Sequence, residues 1–164
     1  MTKSATAIEK QFIAEARKYL SSTYLPKIQG CLETLNDEDI WWCANEESNS
    51  IGNLLLHLSG STRMWIVSVV GNTPSERNRQ QEFAERKQIS ITELMDQLRQ
   101  TVEESDRVLE HLDLTSLPEH RQSPWGEVTV FEAVLHAVEH FAMHTGQIIT
   151  LTKIRTGKDL KLSV

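Results

Sequence analysis

A chain of 164 residues that is 39% hydrophobic and 24% charged has room for one domain, residues 1–164, with a sizeable apolar core, and is cramped for two. Its 17 Lys and Arg against 23 Asp and Glu give a net charge of −6, the wrong sign for gripping a nucleic-acid backbone, and the one locally basic stretch, "ERNRQQEFAERK", interleaves its cations with glutamates. No apolar run approaches the roughly 20 residues of a membrane span.

At the start of the chain, "MTKSATAIEKQF" lacks the continuous apolar stretch of a secretory signal, which predicts a cytoplasmic protein. Two cysteines, Cys31 and Cys43, fit a reducing compartment better than a disulfide framework. The first helix pattern runs from about Thr6 to Leu35, with Ile8, Phe12, Ile13, Ala16, Leu20, Leu25, Ile28, Leu32 and Leu35 at spacings of three and four. Pro26 is expected to bend or interrupt it. After the polar "ANEESNS", Asn49 or Ser50 can cap a second, mostly apolar helix from Ile51 to about Val70, closed by "GNTP".

The segment Gly71 to Ile89 is long for a connection between helices. A third helix opens at "SITE", a capping box from Ser90 to Glu93, carries Leu94, Leu98, Val102, Leu109 and Leu112, and ends before "LDLTSLPEH". "RQSPWGEVTV" is turn-rich with space for a short extended piece, although nothing reads convincingly as a sheet. The fourth helix opens at a second capping box, Thr129 to Glu132, and runs to about Arg155, with Gly157 as the residue just past its end. Four long amphipathic helices predict an all-α four-helix bundle with a long crossover connection.

Four of the six histidines fall on two of these helices: His57 in "GNLLLHLSG", and His136, His140 and His144 in "HAVEHFAMHTGQI". Side chains four apart on a helix stand about 6 Å from each other, so an adjacent pair can address one ion. All three on one helix cannot, because His136 and His144 are separated by about 12 Å of rise while zinc–nitrogen bonds are about 2 Å long. Spacing alone therefore leaves two pairs open, with His57 as the available third imidazole from a facing helix. A lone histidine on an apolar face is ordinarily a core residue. Three at i, i+4 and i+8 are harder to attribute to packing, because each buried ring nitrogen needs a partner. His136, Glu139 and His140 also fit the HxxEH pattern of a zinc peptidase, a weak motif that leaves His57 and His144 unexplained.

"LLLHLSGSTRMWI" and "HAVEHFAMHTGQI", above all the terminal histidine, three residues, histidine, one residue and "GQI", resemble the DinB-like superfamily, which includes YfiT-like metal-dependent hydrolases and the bacillithiol and mycothiol transferases. The likeness covers nearly the whole chain. It implies a four-helix bundle with one crossed pair of connections, often a homodimer, and places the three-histidine metal site on His57, His140 and His144. His136 then becomes a pocket or outer-shell residue. Met143 stands where many relatives carry a further histidine. "GNTPSERNRQQEF" suggests a branch apart from the thiol transferases of established activity.

Three neutral imidazoles leave positions on a metal open and its charge undiminished, as a catalytic rather than a closed structural site requires. Such an ion serves either a hydrolase, by lowering the pKa of water, or a thiol S-transferase, by favouring a thiolate. Zinc and nickel suit this donor set best, iron and copper also fit it, and a low-molecular-weight thiol is the implied second cofactor. Gln147, one turn past His144, is a candidate to orient a ligand. Glu139 is either an acceptor for a ligating histidine or a solvent-facing residue. Arg77 and Arg79, near Glu82 in the long connection, either clamp an anionic substrate or form a solvated charged segment. Trp41, Trp42 and Trp125 either wall the pocket mouth or pack the ends of the bundle, and Gly146 is expected to allow close helix packing. The alternative to an enzyme is a non-catalytic metal- or ligand-binding bundle, associated with stress.

Overall fold

The computed structural model describes residues 6–86 and 89–162, and it is mostly helical. The N-terminal rod consists of α1 (Ala7–Lys18), a π-helical stretch (Tyr19–Tyr24) and α2 (Leu25–Leu32). Thr6 and Glu9 form a reciprocal capping box at its start. Pro26 lies in the first turn of α2, where its missing N–H costs least. The π turn ahead of it, with Leu25 N–H donating to Leu20 O, is the form the expected interruption takes.

The second rod is α3 (Ile51–Thr62) followed by a π-helical segment, Arg63–Val70. Ser50 is its cap, with Asn53 completing the box. A short helix, α4 (Arg79–Ala84), interrupts the long connection and packs on α3. The third rod is α5 (Ile91–Glu110), capped by Ser90 and Glu93 as the spacing indicates. Strands β1 (His120–Ser123) and β2 (Gly126–Thr129) form an antiparallel hairpin, with His120 opposite Thr129 and Ser123 opposite Gly126. The sequence offered at most an extended piece here. Four-residue strands are too short for a clear alternation of two.

The last rod, α6 (Val130–Thr156), starts at the Thr129–Glu132 box and ends at Gly157, whose φ of 66° is the left-handed conformation that glycine adopts without a Cβ penalty. Apolar residues of all four rods converge in one core cluster: Ile13 and Leu20, Leu55 and Leu58, Leu98 and Val102, Phe141 and Ile148. α3 packs against both α5 and α6, and α6 also covers α2 and the 63–70 segment. Arg17 of α1 forks onto Asp106 of α5 at 2.7 and 2.8 Å. No helix among the described residues is long and apolar enough to cross a membrane, and both cysteines are free.

Candidate metal centre

α6 presents two neighbouring stripes. Val134, Ala137, Phe141, Thr145, Ile148 and Thr152 are buried in the core. His136, His140, His144 and Gln147 each stand one residue before Ala137, Phe141, Thr145 and Ile148, so they occupy the adjoining stripe. His57, in the middle of α3, meets that stripe across the helix interface: its Nε2 is 3.1 Å from His140 Nε2, and His140 Nε2 is 3.1 Å from His144 Nε2. One ligand atom from each of the three lies within 4.8 Å of the others. His57 and His144 are buried and His140 is partly so.

The outer nitrogens of two of these rings are tied down. His57 Nδ1 lies 3.0 Å from Glu82 Oε2 of α4, and Glu82 in turn receives Arg77 Nε on one oxygen and Arg77 Nη2 on the other, each at 2.7 Å. Arg77 Nη2 is also 3.0 Å from His57 Nδ1. Two donors cannot bond each other, and an ionised carboxylate only accepts, so the proton of Nδ1 points to Glu82. Burial alone would raise the pKa of Glu82, but the hydrogen bonds from Arg77 and His57 outweigh it and hold the carboxyl below its ordinary range. On the other side, His144 Nδ1 donates to Gln147 Oε1 at 2.6 Å.

With both Nδ1 atoms carrying hydrogen, the Nε2 atoms of neutral His57 and His144 bear lone pairs. Both face His140 Nε2, which has at most one proton to offer two acceptors. That mismatch is the fit test for a cation: three convergent imidazole nitrogens, incompletely satisfied by one another, at separations close to the roughly 3.3 Å expected of nitrogens about 2 Å from a tetrahedral ion. Charge is disfavoured on His140 and His144. Burial, followed by repulsion from His144, His57, His136 and Arg77, pushes His140 down from 6.5 to about 3, and burial lowers His144 despite the opposing hydrogen bond to Gln147.

The depressed His140 pKa sets the sign of a pH effect. Between its unfolded value of 6.5 and about 3, the unfolded chain binds a proton that the folded chain refuses, so stability is full above this window and falls as pH drops through it. Metal-free protein is expected to show a lower urea midpoint at about pH 5 than at about pH 7.5, a window that opens above the carboxylate range. Identical midpoints at the two pH values would contradict this.

Other candidate residues separate clearly. His136 is outside the cluster, its ring tilted against Trp65 at 4.4 Å and against His140 at 5.6 Å. Glu139 is exposed and makes no hydrogen bond or ion pair among the described residues, which removes the base from the peptidase reading. Arg77 is engaged with Glu82 rather than free to clamp an anion, and Arg79 lies 5.1 Å over the Phe83 ring on the outside of α4. Both placements share a cause: part of the connection folds as a helix against α3. Trp41 is buried in the core cluster, Trp42 stacks under Arg155, and Trp125, at the hairpin tip, is 5.3 Å from Trp65.

Gly146 is not a packing glycine, since a Cβ there would meet nothing within 4 Å. It faces a cavity of about 610 Å³ shared with Leu54, Met143, Gln147 and Thr150. A second cavity of about 550 Å³ lies behind the Arg77–Glu82 pair. Sequence reasoning missed Trp65, Phe83, whose ring is 4.7 Å from His57, and the grip of Glu82 on His57. The one signal available was an apolar Phe83 amid a charged connection.

The mycothiol-S-transferase family model matches residues 17–154. No curated protein matches the chain. Among solved structures, a DinB-like protein from Bacillus subtilis superposes with a TM-score of 0.68 at 18% identity, covering 94% of this chain and 96% of that one. A conserved protein from Enterococcus faecalis gives 0.66 at 15%, covering 96% and 100%. At these identities the likeness is one of fold. The matched span takes in His57, the α4 strap and all of the α6 histidines, and by it the chain belongs to the mycothiol-S-transferase family of the DinB-like superfamily.

Proposed function

We propose that residues 1–164 are one DinB-type four-helix-bundle domain with a long crossover, working in the cytoplasm as a metal-dependent thiol S-transferase. In this reading His57, His140 and His144 hold one divalent transition metal, zinc or nickel before iron or copper. The observation that carries it is the convergence of three Nε2 atoms whose rings are oriented from behind, by Glu82 on His57 and by Gln147 on His144. Outer partners of this kind fix the tautomer and raise the basicity of ligating histidines. The family match favours transfer of a low-molecular-weight thiol over hydrolysis.

When bound, the ion supplies positive charge that favours the ionised form of a thiol over its protonated form. The chain's own contribution is to disfavour charge on His140 and His144 by burial and to exclude water on the core side, where Phe141 and Ile148 are fully buried. Substrates approach through the cavity beside Gln147. Its amide nitrogen is available to them while its oxygen holds His144, and Gly146 leaves the wall open.

Two measurements test this together. Elemental analysis of untagged protein should find about one divalent metal per chain, and consumption of an electrophile such as a haloarene should require both the metal and an added low-molecular-weight thiol. Turnover with water and metal alone would replace the transferase reading with the hydrolase one. A chain that stays empty after metal loading and dialysis would remove both.

A further inference from the structure

One turn beyond His57, on the same face of α3, is Gly60. Asn53, His57 and Gly60 form a single stripe turned toward α4. Asn53 Nδ2 donates to the backbone oxygens of Glu82 and Glu85 at 3.0 and 3.1 Å, fixing the short helix as a strap across α3. At Gly60 the Glu82 and Arg77 side chains lie against the helix. A Cβ built there would overlap Glu82 Oε1 and stand 2.9 Å from Glu82 Cδ and 3.0 Å from Arg77 Nε.

Every atom in that clash belongs to the carboxylate and guanidinium that orient His57, and none belongs to the backbone. A carboxylate is the free end of a flexible side chain, so it would swing away rather than force the helices apart. Its displacement would break the fork of two 2.7 Å bonds from Arg77 and the 3.0 Å bond from His57 Nδ1. Gly60 has no other neighbour within 4 Å that a methyl group would meet as closely, and a glycine inside a helix is otherwise unfavourable by about 0.5–1 kcal/mol relative to alanine. What its missing side chain makes room for is the Glu82 carboxylate and, beside it, Arg77 Nε.

We infer that Gly60 is a positioning residue of the metal centre, whose missing side chain is the space through which Glu82, clamped by Arg77, reaches and orients His57. The inference rests on the three-histidine metal reading. It differs from a packing role in a measurable way: the substitution Gly60→Ala should act on metal affinity through Glu82 and scarcely on the stability of the metal-free chain.

Cobalt(II), whose visible spectrum reports ligand geometry, is titrated into metal-free wild type, Gly60→Ala, Glu82→Ala and the double variant. Gly60→Ala should bind about 10–100-fold more weakly, the range for losing an outer partner of a ligating histidine. The double variant should bind no more weakly than Glu82→Ala alone, because without the carboxylate the added methyl meets only Arg77 Nε, the end of a flexible side chain no longer held there by its partner. Metal-free Gly60→Ala should melt within about 4 °C of wild type.

Wild-type affinity in Gly60→Ala, or penalties that multiply in the double variant, would overturn the inference while leaving the metal centre intact. A wild-type chain that takes up no cobalt would remove the metal reading itself, and this inference with it. Should Gly60→Ala alone fail to fold, the double variant decides. Folding with the affinity of Glu82→Ala supports the carboxylate as the only obstacle, and failure to fold places the clash elsewhere.

Discussion

Replacing His140 with alanine is expected to abolish metal uptake and, with it, the stabilisation that metal confers. His140 is the central member of the cluster, its Nε2 being 3.1 Å from the Nε2 atoms of both His57 and His144. Losing it leaves two nitrogens on different helices with no third donor, and the affinity should fall by more than the 10–100-fold typical of an outer partner. At metal concentrations a thousandfold above the dissociation constant, binding stabilises the native state by about 4 kcal/mol, roughly 8–16 °C in melting temperature for a chain of this length. The variant should show none of that rise. Without metal it should be at least as resistant as wild type near pH 5.5, because the ring that burial pushes down to about 3 is gone. Retention of wild-type metal affinity in His140→Ala, followed by calorimetric titration and thermal melts, would sink the assignment.

How far the sequence announced this arrangement depended on the range of the interaction. Local signals were legible: Ser90 with Glu93 and Thr129 with Glu132 form the caps their spacing suggests, and Gly157 takes the left-handed turn. So was the presence of histidines one turn apart on one helix, His140 with His144 among them. Spacing could not choose between that pair and His136 with His140, because both are one turn apart. The choice is made by Gln147 and by the position of His57, which depends on how α3 crosses α6. Least visible was α4. Its six residues carry no amphipathic stripe long enough to register, so the charges of this connection read as either an anion clamp or a solvated segment. Only tertiary packing, with Asn53 holding the backbone of the strap, turns that charge pattern into support for His57. The same absence of tertiary information led to Gly146 being given a packing role, although the helix is open to a cavity there.

Phe141, the neighbour of His140 in sequence, should give the opposite phenotype. Its ring is fully buried on the core stripe of α6 and stacks 6.1 Å from Tyr24 of the N-terminal rod, so it joins the stripe of α6 next to the histidines to a rod that carries none of the three. Phe141→Ala removes that ring and leaves a cavity whose walls can close only partly, a loss of about 3–5 kcal/mol. For 164 residues this corresponds to roughly 6–20 °C in melting temperature. The three histidine nitrogens are positioned by backbone that the substitution does not lengthen or break. At temperatures where the variant is folded, metal stoichiometry should therefore equal that of wild type, with affinity within about tenfold, less than the loss of an outer partner can cause. Thermal melts with and without metal check both halves. A melting temperature lowered by less than about 3 °C would show that the site has collapsed around the missing ring. Loss of metal at full helicity would show instead that Phe141 belongs to the site, and the separation of α6 into a core stripe and a ligand stripe would have to be abandoned.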